Sequence, residues 1–353
     1  MNENAAHNLE GKMLKSGWLV IEKLEKPLGS TGAFFSVGYK VQKDEEVCFL
    51  KAFDFNKFSI LSEAESPGRK FVDIWNEMTN VFIYERDLSN LCRDKRVTKV
   101  SFVREADEEV LEGYTYPVVP YLIFDLADGD VRSQIAYSNK LDFTWKLKSL
   151  HEIAVGLRQL HQIEVSHQDV KPSNVLLFGT QSKIGDLGRS LCKSLQSPYE
   201  GRVFTGDLNY VPPEIMYEYY DNDWHRRVYA TDCYLLGSMV TFYFSGITMS
   251  ALLVKNLEPS FRVENWRGEL SQIKPYLVDA FAKALKEFRM CFTESESHYG
   301  DELVKVVEQL CYPLPEQRGH KKTVQLPGSN FNLERFVSIF DRLYRRSEYE
   351  LKH

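Results

Sequence analysis

Between Val165 and Leu177 the chain reads VSHQDVKPSNVLL, which sets an acid (Asp169), a cation (Lys171) and an amide (Asn174) around Pro172. Proline lacks the N–H and the torsional freedom of a helix interior, so these groups project from a fixed loop between a helix and the apolar strand-like run Val175 to Leu177. Asp169 and Asn174 can then point into one site. Two more charges stand inside apolar patterns. In VCFLKAF (Val47 to Phe53), Lys51 is the only charge of a strand-like run. From Ile74 to Cys92 apolar residues recur at helical spacing, and Glu85 falls on that apolar face, whereas Glu77 has Asp73 and Asn80 at neighbouring turns. A charge in an apolar environment is costly unless it is paired, and Lys51 and Glu85 are each other's obvious partners.

These segments resemble, in order, the parts of the eukaryotic-type protein kinases. HQDVKPSN is similar to the family's catalytic loop, H-R-D-L-x-x-x-N. SKIGDLGRS puts Asp186-Leu187-Gly188 where the family has D-F-G, and GDLNYVPPE resembles the end of an activation segment, with Glu214 matched to Arg318 in LPEQRGH. VCFLKAF is similar to V-A-I-K, and LGSTGAFFSVGYKV to the glycine-rich loop, through Gly29, Gly32 and Val37. That loop has one extra residue between its first two glycines, and Phe35 stands where a third glycine is usual.

The resemblance implies a role for each residue. Asp169 would accept or orient the proton of an attacking hydroxyl, Lys171 would neutralise charge on the phosphoryl group, and Asn174 and Asp186 would hold Mg2+. Lys51, braced by Glu85, would meet the phosphates of ATP under Gly29, Gly32 and Val37. YPVVPYLIFDLADGDV (Tyr116 to Val131) would be the hinge, with Phe124 as gatekeeper, Asp125 to Ala127 offering backbone groups to the adenine, and Leu176 as the floor beneath it. Lys171, two residues after Asp169, resembles the serine/threonine members and not the tyrosine kinases.

Three departures from the family pattern stand out. Gln168 replaces the arginine that pairs with an activation-segment phosphate, so phosphorylation of Ser190, Ser194, Ser197, Tyr199 or Thr205 is expected to be a product of activity and not its trigger. Asp207 occupies a place near Asp169 and Lys171 where a threonine is common. Phe49 takes the position of the Ala that roofs the adenine, unless the strand is shifted and Phe49 faces the core instead.

The elements needed to position these residues are legible in outline. Trp18 to Val41 reads as paired strands, Trp145 to His161 as a helix leading into the catalytic loop, and Phe336, Ile339, Phe340, Leu343 and Tyr344 as a terminal helix. FSILSEAESPGRK (Phe58 to Lys70) reads as an inserted loop. A chain of 353 residues, 43% of them hydrophobic, can bury a sizeable core. Tyr234 to Val254 is uncharged over a length that could span a bilayer, but its opening DCYLLG resembles D-x-W-S-x-G, which begins a buried helix in the family. A membrane span is therefore not expected. A net charge of −6 gives no footprint for nucleic acid. Six scattered cysteines without a C-x-x-C pair point to neither zinc nor disulfides. The opening MNENAAHNLEGKML lacks the marks of a signal peptide, so a cytoplasmic location is expected.

The resulting expectation is an α+β, two-lobed kinase-like fold, with a β-rich N-lobe over 1–126 and a mainly helical C-lobe over 127–353. Its function would be ATP- and Mg2+-dependent phosphorylation of Ser/Thr hydroxyls on a protein substrate. Two other readings compete with it, a kinase-like scaffold without catalysis and an ATP-dependent transferase acting on a small molecule. Asp232, Glu214 and Arg318 look like parts that support protein substrates and weigh against the second.

Overall fold

The computed structural model describes residues 4–25, 35–65, 68–137, 143–324 and 331–353. A strand-rich lobe comes first. Strands β1 (Leu19–Lys23), β2 (Ser36–Lys43) and β3 (Glu46–Phe53) lead through helices α1 (Phe55–Glu65) and α2 (Phe71–Asp94) to β4 (Glu105–Val110) and β5 (Val118–Asp125). They form one antiparallel sheet in the order β1-β2-β3-β5-β4. One face of the sheet buries Tyr39, Val41, Cys48, Leu50, Tyr121 and Ile123 against Ala5, Ala6, Leu9, Leu14 and Trp18 of the N-terminal segment. Tyr39 Oη donates to the Ala6 carbonyl at 2.7 Å, which joins this strap to the sheet.

The stretch expected as an inserted loop from Phe58 to Lys70 is helical through Glu65. Asp54 explains the helix start: its Oδ1 accepts the Lys57 N–H at 2.9 Å, one of the donors that a first turn leaves unpaired. Phe55 and Phe58 then bury in a cluster with Ile74 and Met78 of α2, so tertiary packing overrides the polar, serine-containing composition. Asp54 is clasped from the N-terminal side as well, by Asn4 Nδ2 at 2.6 Å and His7 Nε2 at 3.0 Å.

Beyond β5 the chain passes through β6 (Gly129–Asp130) and α3 (Val131–Tyr137) into a helical lobe; the expected boundary at 126/127 falls in the β5–β6 connection. Helix α4 (Phe143–Gln162) leads to β7 (Val165–Ser166), β8 (Val175–Phe178), β9 (Gln181–Ile184) and β10 (Leu191–Cys192). Strands β6, β8 and β9 form one small sheet, and β7 pairs with β10. Helices α5 (Pro213–Met216), α6 (Trp224–Ser245), α7 (Met249–Asn256), α8 (Leu270–Arg289), α9 (Ser297–Leu310), α10 (Lys321–Val324) and α11 (Glu334–Lys352) complete the lobe.

The uncharged run at Tyr234 lies mostly in α6, whose residues from Cys233 to Val240 are buried in the core of this lobe. Asp223 starts the helix by accepting the Arg226 N–H at 2.7 Å. Among the described residues no single helix is long and apolar enough to cross a membrane, and α6 and α7, which together pass that test, meet at a bend of 82°. Helix α11 returns Phe336, Phe340 and Leu343 to the same core as α4, as their spacing requires.

Candidate active site

Lys51 sits on β3 and Glu85 on α2, and their side chains meet in the cleft between the lobes. The ammonium donates to Glu85 Oε1 at 2.8 Å, to Oε2 at 2.9 Å and to Asp186 Oδ1 at 2.9 Å. Three N–H groups are thereby matched to three carboxylate oxygens. Burial works against the charge on Lys51, yet Asp186 and Glu85 outweigh it and its pKa rises above the ordinary lysine value. The carboxyl of Asp186 feels the same burial, but Lys51 holds it down to about 2. Asp186 has φ 58 and ψ 73, in the left-handed region, which is uncommon outside glycine and turns its side chain toward Lys51.

The catalytic-loop candidates assemble beside this cluster. Asn174 Nδ2 donates to Asp169 O at 2.8 Å and to its Oδ2 at 3.0 Å, and Lys171 Nζ lies 3.1 Å from the same Oδ2. Asp169 Oδ1 accepts the backbone N–H of Asp207 at 2.8 Å. The carboxylate is held from both sides. Burial pushes its pKa up; Lys171 opposes this, and the Asp186 charge adds to it. Lys171 also reaches Asp207 Oδ2 at 3.3 Å, so Asp207 supplies both a backbone donor and a second anion.

Asp232 fixes the loop from below. This fully buried carboxylate accepts from Ser166 Oγ at 2.7 Å, His167 N at 2.9 Å, Gln168 N at 2.8 Å and His161 Nε2 at 2.9 Å. Expected among the parts that support protein substrates, Asp232 instead bonds to the catalytic loop and the end of α4. Burial alone would raise its pKa; those donors, His161 foremost, lower it. Gln168 adopts φ 65 and is turned inward, donating to Ser166 Oγ at 2.7 Å and to Val228 O at 2.9 Å. No cation stands at this position to meet a phosphate. Of the activation-segment hydroxyls considered above, those of Ser190, Ser197 and Thr205 belong to buried residues, and Ser194 is exposed.

A cavity of about 70 Å³ opens among Lys51, Glu85, Asp169, Lys171 and Asp186. Arg189 and Tyr199 of the following segment line it too. Both stand in stretches considered above, but only the fold brings them to the cavity. Arg189 is tied to the segment by mutual bonds with Thr205, its Nη1 donating to Thr205 O at 2.6 Å and Thr205 Oγ1 donating to its carbonyl at 2.7 Å.

Val37, expected over the nucleotide, lies on the other side of the sheet, buried with Tyr39 and Val41. Residues opposite one another in an antiparallel pair share a face, and the residue opposite Lys51 is Gly38. The side-chain period of two puts Val37 on the core face. Gly29 and Gly32 lie outside the described residues. Phe49 shares the Lys51 face and not the core, its ring centroid 6.3 Å from that of Phe124. Asp125 ends β5 opposite Cys48 of β3, with its side chain turned to Arg104, 3.3 Å away, and Ala127 follows in the connection to β6. Leu176 packs on Gly185, next to Asp186.

Asn174 and Asp186 offer an amide oxygen and a carboxylate oxygen that the bonds above leave unused. Hard oxygen donors in this number suit magnesium, which takes one or two protein ligands and completes its shell with phosphates and water.

Gly206 gives the site its tightest backbone approach. A Cβ there would collide with the Gln168 carbonyl oxygen and the Phe204 ring. Only a glycine lets the segment bring the Asp207 N–H onto Asp169. Gly206→Ala is expected to lower turnover on the order of 10²-fold, as displacements near 1 Å do, with little change in nucleotide affinity. Steady-state turnover beside a nucleotide-binding isotherm checks this; unchanged turnover would mean that the segment has slack.

Comparison with known proteins bears on the whole arrangement. A sequence model described as the protein kinase domain matches residues 81–320. Aurora/IPL1-related protein kinase 2 of Caenorhabditis elegans is 35% identical over 100 residues, 27% of this chain and 31% of that protein. The protein of the same name from Caenorhabditis briggsae is 30% identical over 158 residues, 44% of this chain and 45% of its own length. The calcium and calcium/calmodulin-dependent serine/threonine-protein kinase DMI-3 of Medicago truncatula is 25% identical over 173 residues, 45% of this chain and 31% of that protein. Less than half the length of each of these relatives is matched.

Proposed function

The chain belongs to the eukaryotic-type protein kinase family, and from that premise we propose that it transfers the terminal phosphoryl group of ATP to Ser/Thr hydroxyls of a protein substrate. The observation that carries this reading is the convergence of Lys51, Glu85 and Asp186 with Asp169, Lys171 and Asn174 on one cleft. In phosphoryl transfer there is little covalent chemistry for a protein to do, so positioning and charge compensation carry the rate.

Asp169 is suited to the hydroxyl. Its carboxylate is fixed by Asp207 N on one oxygen and by Asn174 and Lys171 on the other, so an entering Ser/Thr hydroxyl meets an oriented acceptor. The hydroxyl oxygen bonds to the terminal phosphorus, the bridging P–O bond to ADP breaks, and the hydroxyl proton passes to Asp169. Lys171 stands beside that carboxylate, where it neutralises charge on the moving phosphoryl group. On entry of the polyanion, Lys51 exchanges part of its carboxylate shell for phosphate oxygens, while Glu85 keeps the ammonium in place. Asn174 and Asp186 would hold a magnesium ion, which would shield the phosphate charge.

Incubation with radiolabelled ATP, magnesium and a generic protein, followed by phosphoamino-acid analysis, tests the proposal. Labelled phosphoserine or phosphothreonine that disappears with a chelator is expected. Nucleotide binding with no label in any acceptor would favour the scaffold, and label confined to a small molecule would favour the other transferase.

A further inference from the structure

Near its C-terminal end α4 turns Arg158 and His161 to one face, three residues apart, and the first turns of α6 bring Tyr229 beside them. Together with Phe331 to Glu334, which lead into α11, they line a cavity of about 630 Å³. None of the residues around the cleft cavity lines this one. The volume suits a metabolite-sized ligand, and the lining combines rings with polar groups. The Tyr229 ring stacks on His161, with centroids 4.0 Å apart, and Phe331 adds a second apolar ring to the wall. His161 faces two ways in consequence. Its Nε2 bonds Asp232 Oδ2 at 2.9 Å, and that carboxylate anchors the backbone of His167 and Gln168 in the catalytic loop.

We propose that this cavity binds a small aromatic carboxylate, with its ring against Tyr229 and Phe331 and its acid on Arg158, and that the catalytic loop senses the occupant through His161 and Asp232. Arg158 carries the choice of ligand. Glu334 contacts its Nη1 alone, while its Nε is buried without a hydrogen-bond partner among the described residues. A guanidinium presents Nε and Nη2 as a fork matched to the two oxygens of a carboxylate, and that edge is the one Glu334 leaves unused. Glu334, its side chain 56% exposed, can swing into water as the guanidinium turns to an entering acid. The other acid of the wall, Asp223, is committed to the Arg226 N–H at the start of α6.

Calorimetric titration of the full chain with 1-naphthoate tests the site, with 1-naphthamide as the uncharged control. The acid is expected to bind about tenfold more tightly than the amide, and equally well with saturating ATP present. Arg158→Lys keeps a cation for Glu334 but not the fork, and should cost naphthoate about tenfold in affinity. Asn332→Asp supplies a second variant. Asn332 Oδ1 accepts the Glu334 N–H at 2.8 Å, a bond that an aspartate also makes, so the start of α11 is kept while a negative charge enters the cavity. It should weaken naphthoate and leave naphthamide unchanged. Amide hydrogen exchange at His167 and Gln168 is expected to change when naphthoate saturates the protein, because their anchor Asp232 is bonded to His161. No binding of naphthoate at millimolar concentration, equal affinity for acid and amide, full affinity in both variants, or displacement by ATP overturns the site. Unaltered exchange at His167 and Gln168 overturns its link to the loop.

Discussion

Asp169→Ala is expected to retain nucleotide and magnesium binding while turnover falls by about 10²–10⁴, the range lost with a positioned acid–base group. Asp186→Ala is expected to fail earlier, by losing magnesium-dependent nucleotide binding. The difference follows from where each carboxylate is committed. Both oxygens of Asp169 are held by donors of the catalytic loop and the activation segment. Asp186 shares one oxygen with Lys51 and has the other available to a metal ion. Its pKa, held down to about 2 beside Lys51, keeps it anionic at every working pH. Single-turnover rates and nucleotide isotherms, measured on the same preparations, separate the two roles. Undiminished phosphorylation by either variant would sink the assignment.

The largest effect on stability is expected at Arg318. Its side chain is fully buried, with Nη1 donating to Glu214 Oε1 at 2.7 Å and to Ala230 O at 2.9 Å, Nη2 to Glu214 Oε2 at 2.8 Å and Nε to Tyr312 O at 3.0 Å. The guanidinium also lies over the Tyr234 ring, 5.1 Å from its centroid. Burial opposes the charge, but Glu214 more than compensates and raises its pKa above the ordinary arginine value. Arg318→Ala strands a buried carboxylate and two carbonyl acceptors, so a loss of about 3–5 kcal/mol is expected in urea unfolding. Replacing Glu214 and Arg318 together by leucine and methionine should cost less than the single change, because no charge is then left unpaired. An unfolding midpoint unmoved by Arg318→Ala would refute the account. Arg318→Lys is no rescue, since one ammonium cannot reproduce the two-pronged contact.

Much of this site is legible in the residues. The helical phase of Ile74 to Cys92 is enough to choose Glu85 over Glu77, because a carboxylate on a buried stripe must find a cation, and Lys51 is the only charge from Val47 to Phe53. Val37 shows how counting along a motif fails. Spacing from the glycines selects it, but the alternation of Val37, Tyr39 and Val41 with Ser36, Gly38 and Lys40 already separates core face from cleft face. Period two decides the face, and a slip of one residue inverts it. Helix α1 is less legible, since its serines and the proline after it resemble a loop and its start depends on Asp54 and on burial against α2. The four bonds at Asp232 and the approach of Gly206 to Gln168 join segments distant in sequence, and no local pattern announces either.

The clamp at Asp232 also has a consequence for the order in which the chain matures. The residue lies 64 and 65 positions after the two backbone N–H groups it fixes in the catalytic loop. During synthesis, therefore, the strand-rich lobe, α4 and the loop itself all leave the ribosome before the carboxylate that sets the loop's shape has been made. Lobes can condense as they emerge. The left-handed turn at Gln168 lacks its backbone anchor until α6 is long enough to carry Asp232 into place, and the brace from Glu214 waits for Arg318, a further 86 residues along. A nascent chain arrested before α6 is thus expected to present a folded upper lobe above a loop still without its working geometry.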